Sequence, residues 1–213
     1  MYFFSEAFVL LSLFLLYWWN RERRRYFRER IGSGYFRNLY NVGRNVGFML
    51  RKGRLKIKGR VDDIQRGSIL YSFHFGVWES MPRALRRLGY NVGVVVNRYS
   101  SDRKNFFTRA VDRFLYRFRS TCGVKIFYRD DAARIVKFLK DGGVLGILVD
   151  GNNFYSKFSR VEKLSRICNA PLIPFAAYRK NGSGILEIGC DLDRLVKEHP
   201  FDYVWFYKSR VEG

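Results

Sequence analysis

The chain alternates short apolar runs with longer segments in which apolar residues recur every third or fourth position. Ser68 to Phe73 is apolar and aromatic and follows the turn signal Arg66-Gly67, so it reads as a short buried strand. Asn91 to Val96, Val124 to Tyr128, Val144 to Val149 and Leu172 to Tyr178 repeat that pattern. Ile185 to Ile188 follows the turn Asn181-Gly-Ser-Gly184, and Leu55 to Lys58 alternates apolar and basic residues as an edge strand does. Helical spacing fills the gaps over Val77 to Leu88, Asp102 to Ser120, Asp130 to Lys140 and Lys157 to Cys168, with an Asp cap opening the third of these. Tyr26 to Arg51 reads as one or two basic helices, interrupted by Gly32, Gly34, Gly43 and Gly47. Strands alternating with helices predict an α/β fold, a mostly parallel mixed sheet flanked by helices.

The amino terminus differs from the rest. Tyr2 to Trp19 is nearly all apolar, ends in the pair Trp18-Trp19, and is followed at once by Arg21, Arg23, Arg24 and Arg25. At ~1.5 Å per residue the run is slightly short for a hydrocarbon core of ~30 Å. It lacks a basic leader and a small-residue cleavage site, which argues against a removed signal peptide. The expectation is a hydrophobic membrane-anchor helix that spans the bilayer or lies in its interface, with the charge asymmetry placing the remainder on the cytoplasmic side. Residues 1–30 then form the anchor and its basic flank, and 31–213 a single domain. No internal repeat or linker divides that domain.

The formal charge of +21 calls for an anionic partner. A basic cluster beside an anchor points to anionic membrane lipids, each charge near the surface adding about 1 kcal/mol. Nucleic acid is the competing partner for such a charge, and no recognition motif for it is present. Three cysteines, Cys122, Cys168 and Cys190, share no metal spacing and read as reduced thiols, so neither a disulfide frame nor a metal site is expected.

Candidate chemistry centres on one of only two histidines. His74 stands at the carboxyl end of the first buried strand, where ligands gather in α/β proteins. Glu79 follows at a spacing that a bend at Phe75-Gly76 can close, so that it could orient the imidazole and leave the other ring nitrogen as a base. His199 stands outside any acid pair and reads as structural. Arg98, after Asn97 at the next strand end, could hold a phosphate or be a solvated surface arginine. Asp150, ending another strand, could cap the following turn or touch substrate.

In this order several segments resemble the bacterial lipid A biosynthesis (lauroyl/myristoyl) acyltransferases, within the glycerolipid acyltransferase fold. The resemblance rests on Phe73-His-Phe-Gly-Val-Trp-Glu79, Asn97-Arg98, Leu139-Lys-Asp-Gly-Gly143, Leu145-Gly-Ile-Leu-Val-Asp150 and Ala170-Pro-Leu-Ile-Pro174. Glu198-His-Pro200 and Trp205-Phe-Tyr-Lys-Ser-Arg210 complete it. It implies acyl transfer at the inner membrane from an acyl carrier protein or CoA thioester to a hydroxyl of a lipid acceptor, with no further cofactor. His74 would be the general base, Glu79 its orienting partner, and Asn97, Arg98 and Asp150 substrate contacts. Gly76 would offer backbone amides near the helix start to the oxyanion. The acceptor would be a lipid A precursor or related glycolipid. The alternative is a lysophospholipid, prompted by the short run from Asp150 to Lys157.

Overall fold

A computed structural model describes residues 33–96, 113, 116, 117, 119, 120, 123–150, 155 and 157–204. The anchor segment, Asn97, Arg98, most of the helix expected over Asp102 to Ser120, Cys122 and the closing segment from Trp205 to Arg210 lie outside them. Among the described residues no helix is long and apolar enough to cross a membrane.

The architecture is α/β. Among the described residues seven strands form one sheet: β1 (Leu55–Gly59), β2 (Ile69–Ser72), β3 (Val92–Val96), β4 (Lys125–Tyr128), β5 (Val144–Leu148), β6 (Leu172–Lys180) and β7 (Ser183–Ile188). Their order is β1-β7-β6-β2-β5-β3-β4. Every neighbouring pair is parallel except the β6–β7 hairpin. The central strands are continuous apolar runs because a parallel sheet is buried on both faces. In β2, Ile69 packs into one core and Leu70 into the other; in β5, Leu145 and Val144 divide in the same way.

Helices α3 (Ala132–Lys140), α4 (Phe158–Cys168) and α5 (Leu192–Glu198) cover the first of these faces through Ile135, Phe138, Val161, Leu192 and Leu195. Helices α1 (Ser33–Leu50) and α2 (Met81–Arg87) cover the other through Met49, Met81, Ala84 and Leu85. The helix after β2 and the helix after β5 therefore pack on opposite faces. A crevice opens between the carboxyl ends of those adjacent strands, where the connections part.

Three local outcomes differ from the sequence reading. Helix α1 runs unbroken through Gly34, Gly43 and Gly47; Gly43 and Gly47 are buried, so packing outweighs their poor propensity. The helix expected from Val77 begins as a 3-10 turn, Trp78–Ser80, before α2, which has Pro82 in its first turn. Helix α5, absent from the sequence reading, is capped by Asp191, whose carboxylate accepts the Arg194 N–H at 2.9 Å.

Candidate active site

Strand β2 ends at Ser72, and the chain turns sharply over the next four residues. The Phe75 N–H donates to the Phe73 carbonyl at 2.7 Å, and Gly76 takes φ +57°. A Cβ on Gly76 would lie 2.3 Å from the Ala177 carbonyl oxygen, so backbone conformation and space both demand glycine. The corner expected at Phe75-Gly76 is present. Its amides are not available to an oxyanion, however: Gly76 N–H donates to the Asp202 carbonyl at 2.9 Å and Val77 N–H to the Ala177 carbonyl at 2.6 Å. Gly76 thus shapes the turn, in place of the substrate-binding part expected of it.

The carboxylate on the imidazole is also not the one expected. His74 Nδ1 and Asp150 Oδ1 are 2.7 Å apart, and Asp150 Oδ2 accepts the His74 backbone N–H at 3.0 Å. The reason is strand register. Ser72 pairs with Leu148 across the parallel β2–β5 ladder, so His74 and Asp150, each two residues further on, leave the sheet side by side. Asp150 is completely buried, whereas the His74 side chain is 24% exposed. Asp150 therefore faces His74 rather than substrate. Its carboxylate also receives the Tyr203 hydroxyl, and its backbone carbonyl accepts the Lys157 ammonium.

Glu79 lies on the 3-10 turn and points into the same crevice, where the Arg119 guanidinium takes both of its oxygens, one at 2.9 Å. Such a bidentate pair fixes a planar cation as well as a carboxylate. Glu79 is thus a wall residue of the site and a partner of Arg119, in place of the imidazole-orienting part expected of it.

His74 opens onto a cavity of about 170 Å³. Its lining includes the apolar Val94, Val95 and Val96 of β3 with Ile147 and Leu148 of β5, and the basic Arg119, Arg129, Lys157 and Arg160, the first of them paired with Glu79. Gly146 keeps the floor low, since a Cβ there would sit 2.6 Å from Met81 Cε. Burial lowers the pKa of Lys157, and the Arg129 and Arg160 charges push the same way against the raising effect of Asp150. The Trp78 ring meets His74 edge-on at 5.4 Å between centroids.

These cations went unnoticed in the sequence, where 40 lysines and arginines give no reason to single out four. A clue to Asp150 was there: it follows its strand at the same offset as His74 follows its own. Asn97 and Arg98 lie outside the described residues, although β3 ends at Val96 on the cavity wall. His199, read as structural, stacks on Tyr178 with 24° between ring planes and is not among the residues lining the cavity. Cys190 is a free thiol whose pKa burial pushes up to about 12, so it is a poor nucleophile; Cys168, also free, is raised by burial as well. Among the described residues no three His, Cys, Asp or Glu side chains stand close enough to hold a metal ion.

No protein-family model matches the chain, and no curated protein sequence matches it.

Proposed function

We propose that this protein is a membrane-associated O-acyltransferase of the glycerolipid type, moving a fatty acyl group from an acyl carrier protein or CoA thioester to the hydroxyl of a lipid acceptor. The observation that carries this reading is the His74–Asp150 pair, 2.7 Å apart, with His74 on a cavity lined by both apolar and basic side chains. The resemblance of Phe73-His-Phe-Gly-Val-Trp-Glu79 and Leu145-Gly-Ile-Leu-Val-Asp150 to the lipid A acyltransferases supports it.

The chemistry follows from the pair. Asp150 holds the proton on Nδ1 of the neutral imidazole, which puts the lone pair on Nε2. An alcohol is too weak an acid to attack unaided, so Nε2 takes the hydroxyl proton as the new C–O bond forms. The thioester carbonyl becomes an oxyanion on a tetrahedral carbon. When the C–S bond breaks, the imidazolium returns the proton to the departing thiolate, giving an ester and a free thiol. Asp150 stabilises the imidazolium in between. Among the lining cations, Arg129, Lys157 and Arg160 favour the negative groups of this sequence: the oxyanion, and any phosphate on donor or acceptor. The apolar lining suits the first methylenes of the acyl chain.

The anchor of residues 2–19 and the basic flank would hold the domain on the cytoplasmic face of the inner membrane, against anionic lipids and within reach of an acidic acyl carrier protein. A lysophospholipid acceptor is the second reading. Its support is the short excursion after Asp150, closed where Lys157 N–H meets the Val149 carbonyl at 3.0 Å, together with lining cations suited to one phosphate. Mass spectrometry of lipids from cells lacking and overproducing the protein separates the two. An added acyl chain on a glycolipid or on a lysophospholipid names the acceptor, and an unchanged lipid profile in both strains overturns the acyltransferase reading.

A further inference from the structure

The segment from Asp202 to Val204 is tied to the corner at every residue. It starts in the 3-10 turn Pro200–Asp202 and passes directly behind His74. Val204 N–H donates to the His74 carbonyl at 2.9 Å, Gly76 N–H donates to the Asp202 carbonyl at 2.9 Å, and Phe75 and Tyr203 form an antiparallel bridge. The strap thus grips the backbone on both sides of the sharp corner. Tyr203 is 1% exposed, and its hydroxyl reaches Asp150. Burial and the Asp150 carboxylate both raise the Tyr203 pKa, so the hydroxyl keeps its proton and donates.

Helix α1 holds the strap from outside. The Asn38 side-chain amide donates to the Phe201 carbonyl at 2.9 Å and to the Tyr203 carbonyl at 2.8 Å. Asn45, two turns further along the helix, donates to Asp202 Oδ1 at 2.9 Å. Both asparagines are buried, and a helix interior has no intrinsic use for a buried amide. Their place is explained by the carbonyls and the carboxylate they satisfy.

We infer that Tyr203 is a positioning residue of the site: its hydroxyl holds the Asp150 carboxylate against His74, while Asn38 and Asn45 fix the strap that carries it. The inference rests on His74–Asp150 being the working pair of the proposed reaction. Removing the hydroxyl leaves Asp150 with one donor fewer. The pair then loses more stabilisation with imidazole neutral and a net charge of −1 than with imidazole protonated and a net charge of zero. Protonation of the pair moves to higher pH. Other charged groups facing the pair are Lys157 on the Asp150 carbonyl, and Glu79, Arg119, Arg129 and Arg160 on the cavity walls; Tyr203→Phe alters none of them.

The chain has two histidines, so labelling their ring carbons gives two NMR titration curves, with His199 as an internal reference. In the full-length protein in detergent micelles, Tyr203→Phe should raise the His74 midpoint by about half to one pH unit and leave His199 in place. Asn38→Ala should speed hydrogen exchange of the Val204 and Gly76 amides at least tenfold while the β2–β5 amides stay protected. An unchanged His74 curve in Tyr203→Phe overturns the inference. So does unchanged exchange at both strap-linked amides in Asn38→Ala. If both shifts occur but the wild-type protein transfers no acyl group, the strap stands and the acyltransferase reading falls.

Discussion

Asp150→Asn tests the site at its least ambiguous contact. Asparagine nearly keeps the carboxylate's size, so packing around this completely buried residue is conserved. What changes is chemistry. Asp150 accepts from Nδ1 at 2.7 Å and from the His74 amide at 3.0 Å; an asparagine amide can satisfy one of these as acceptor but must present N–H to the other. Either the imidazole is driven to the wrong tautomer, with its lone pair facing the introduced amide, or the backbone contact is lost. In acyl transfer that uses histidine as base, the equivalent change lowers turnover by about 10⁴. That corresponds to roughly 5 kcal/mol of barrier at 1.36 kcal/mol per decade. Folding should suffer much less, by about 1–3 kcal/mol for hydrogen bonds to a charged group, offset in part because a buried charge is removed. The assay is steady-state thiol release from an acyl thioester with a lipid acceptor in mixed micelles, beside a thermal melt. Turnover within tenfold of wild type, with a normal melt, would refute the assignment of Asp150.

Further outcomes follow from neighbouring contacts. Glu79→Gln should lower turnover by about 10–100-fold, far less than Asp150→Asn, because it loosens Arg119 rather than the imidazole; parallel kinetics of the two variants check the ranking. Gly76→Ala should destabilise the fold by at least ~2 kcal/mol, read from denaturant unfolding, since its Cβ would meet the Ala177 carbonyl at 2.3 Å in a left-handed backbone. Asp202→Asn should raise the melting temperature at neutral pH. Burial raises the Asp202 pKa, so the folded state holds that proton more tightly than the unfolded chain. The charge therefore weakens the fold above the raised pKa, and the gain from asparagine should vanish as pH falls below the ordinary carboxylate range. Melts across pH 3 to 8 check it.

Much of the sheet could be read directly because parallel strands buried on both faces leave apolar runs such as Val144 to Val149 and Val92 to Val96. The edge position of Leu55 to Lys58 was equally plain from its lysines. Strand ends in the hairpin were less so. The turn tightened onto Asn181 (φ +50°) and Gly182 (φ +77°), letting β6 extend to Lys180 and β7 start at Ser183. His74 and its corner were legible because both are local, set by one glycine and one strand end. Its partner was not. Asp150 lies 76 residues away, and the register that brings the two together is decided by a ladder, not by spacing along the chain. Nearness in sequence points to Glu79, and it is a weaker guide than adjacency in the sheet. The lining cations were invisible for a related reason: Arg119, Arg129, Lys157 and Arg160 come from three separate connections and meet only in the folded chain.

In the proposed reaction His74, oriented by Asp150, is the base that draws the proton from a lipid hydroxyl as the acyl group passes to it from a thioester. The most direct measurement counts both products in one reaction, free thiol by absorbance and new lipid ester by mass spectrometry, for wild type and His74→Ala. The account predicts one ester per thiol with the wild-type protein and neither product above background with His74→Ala, whose melt should stay near wild type. Equal ester formation by the folded His74→Ala protein would contradict it.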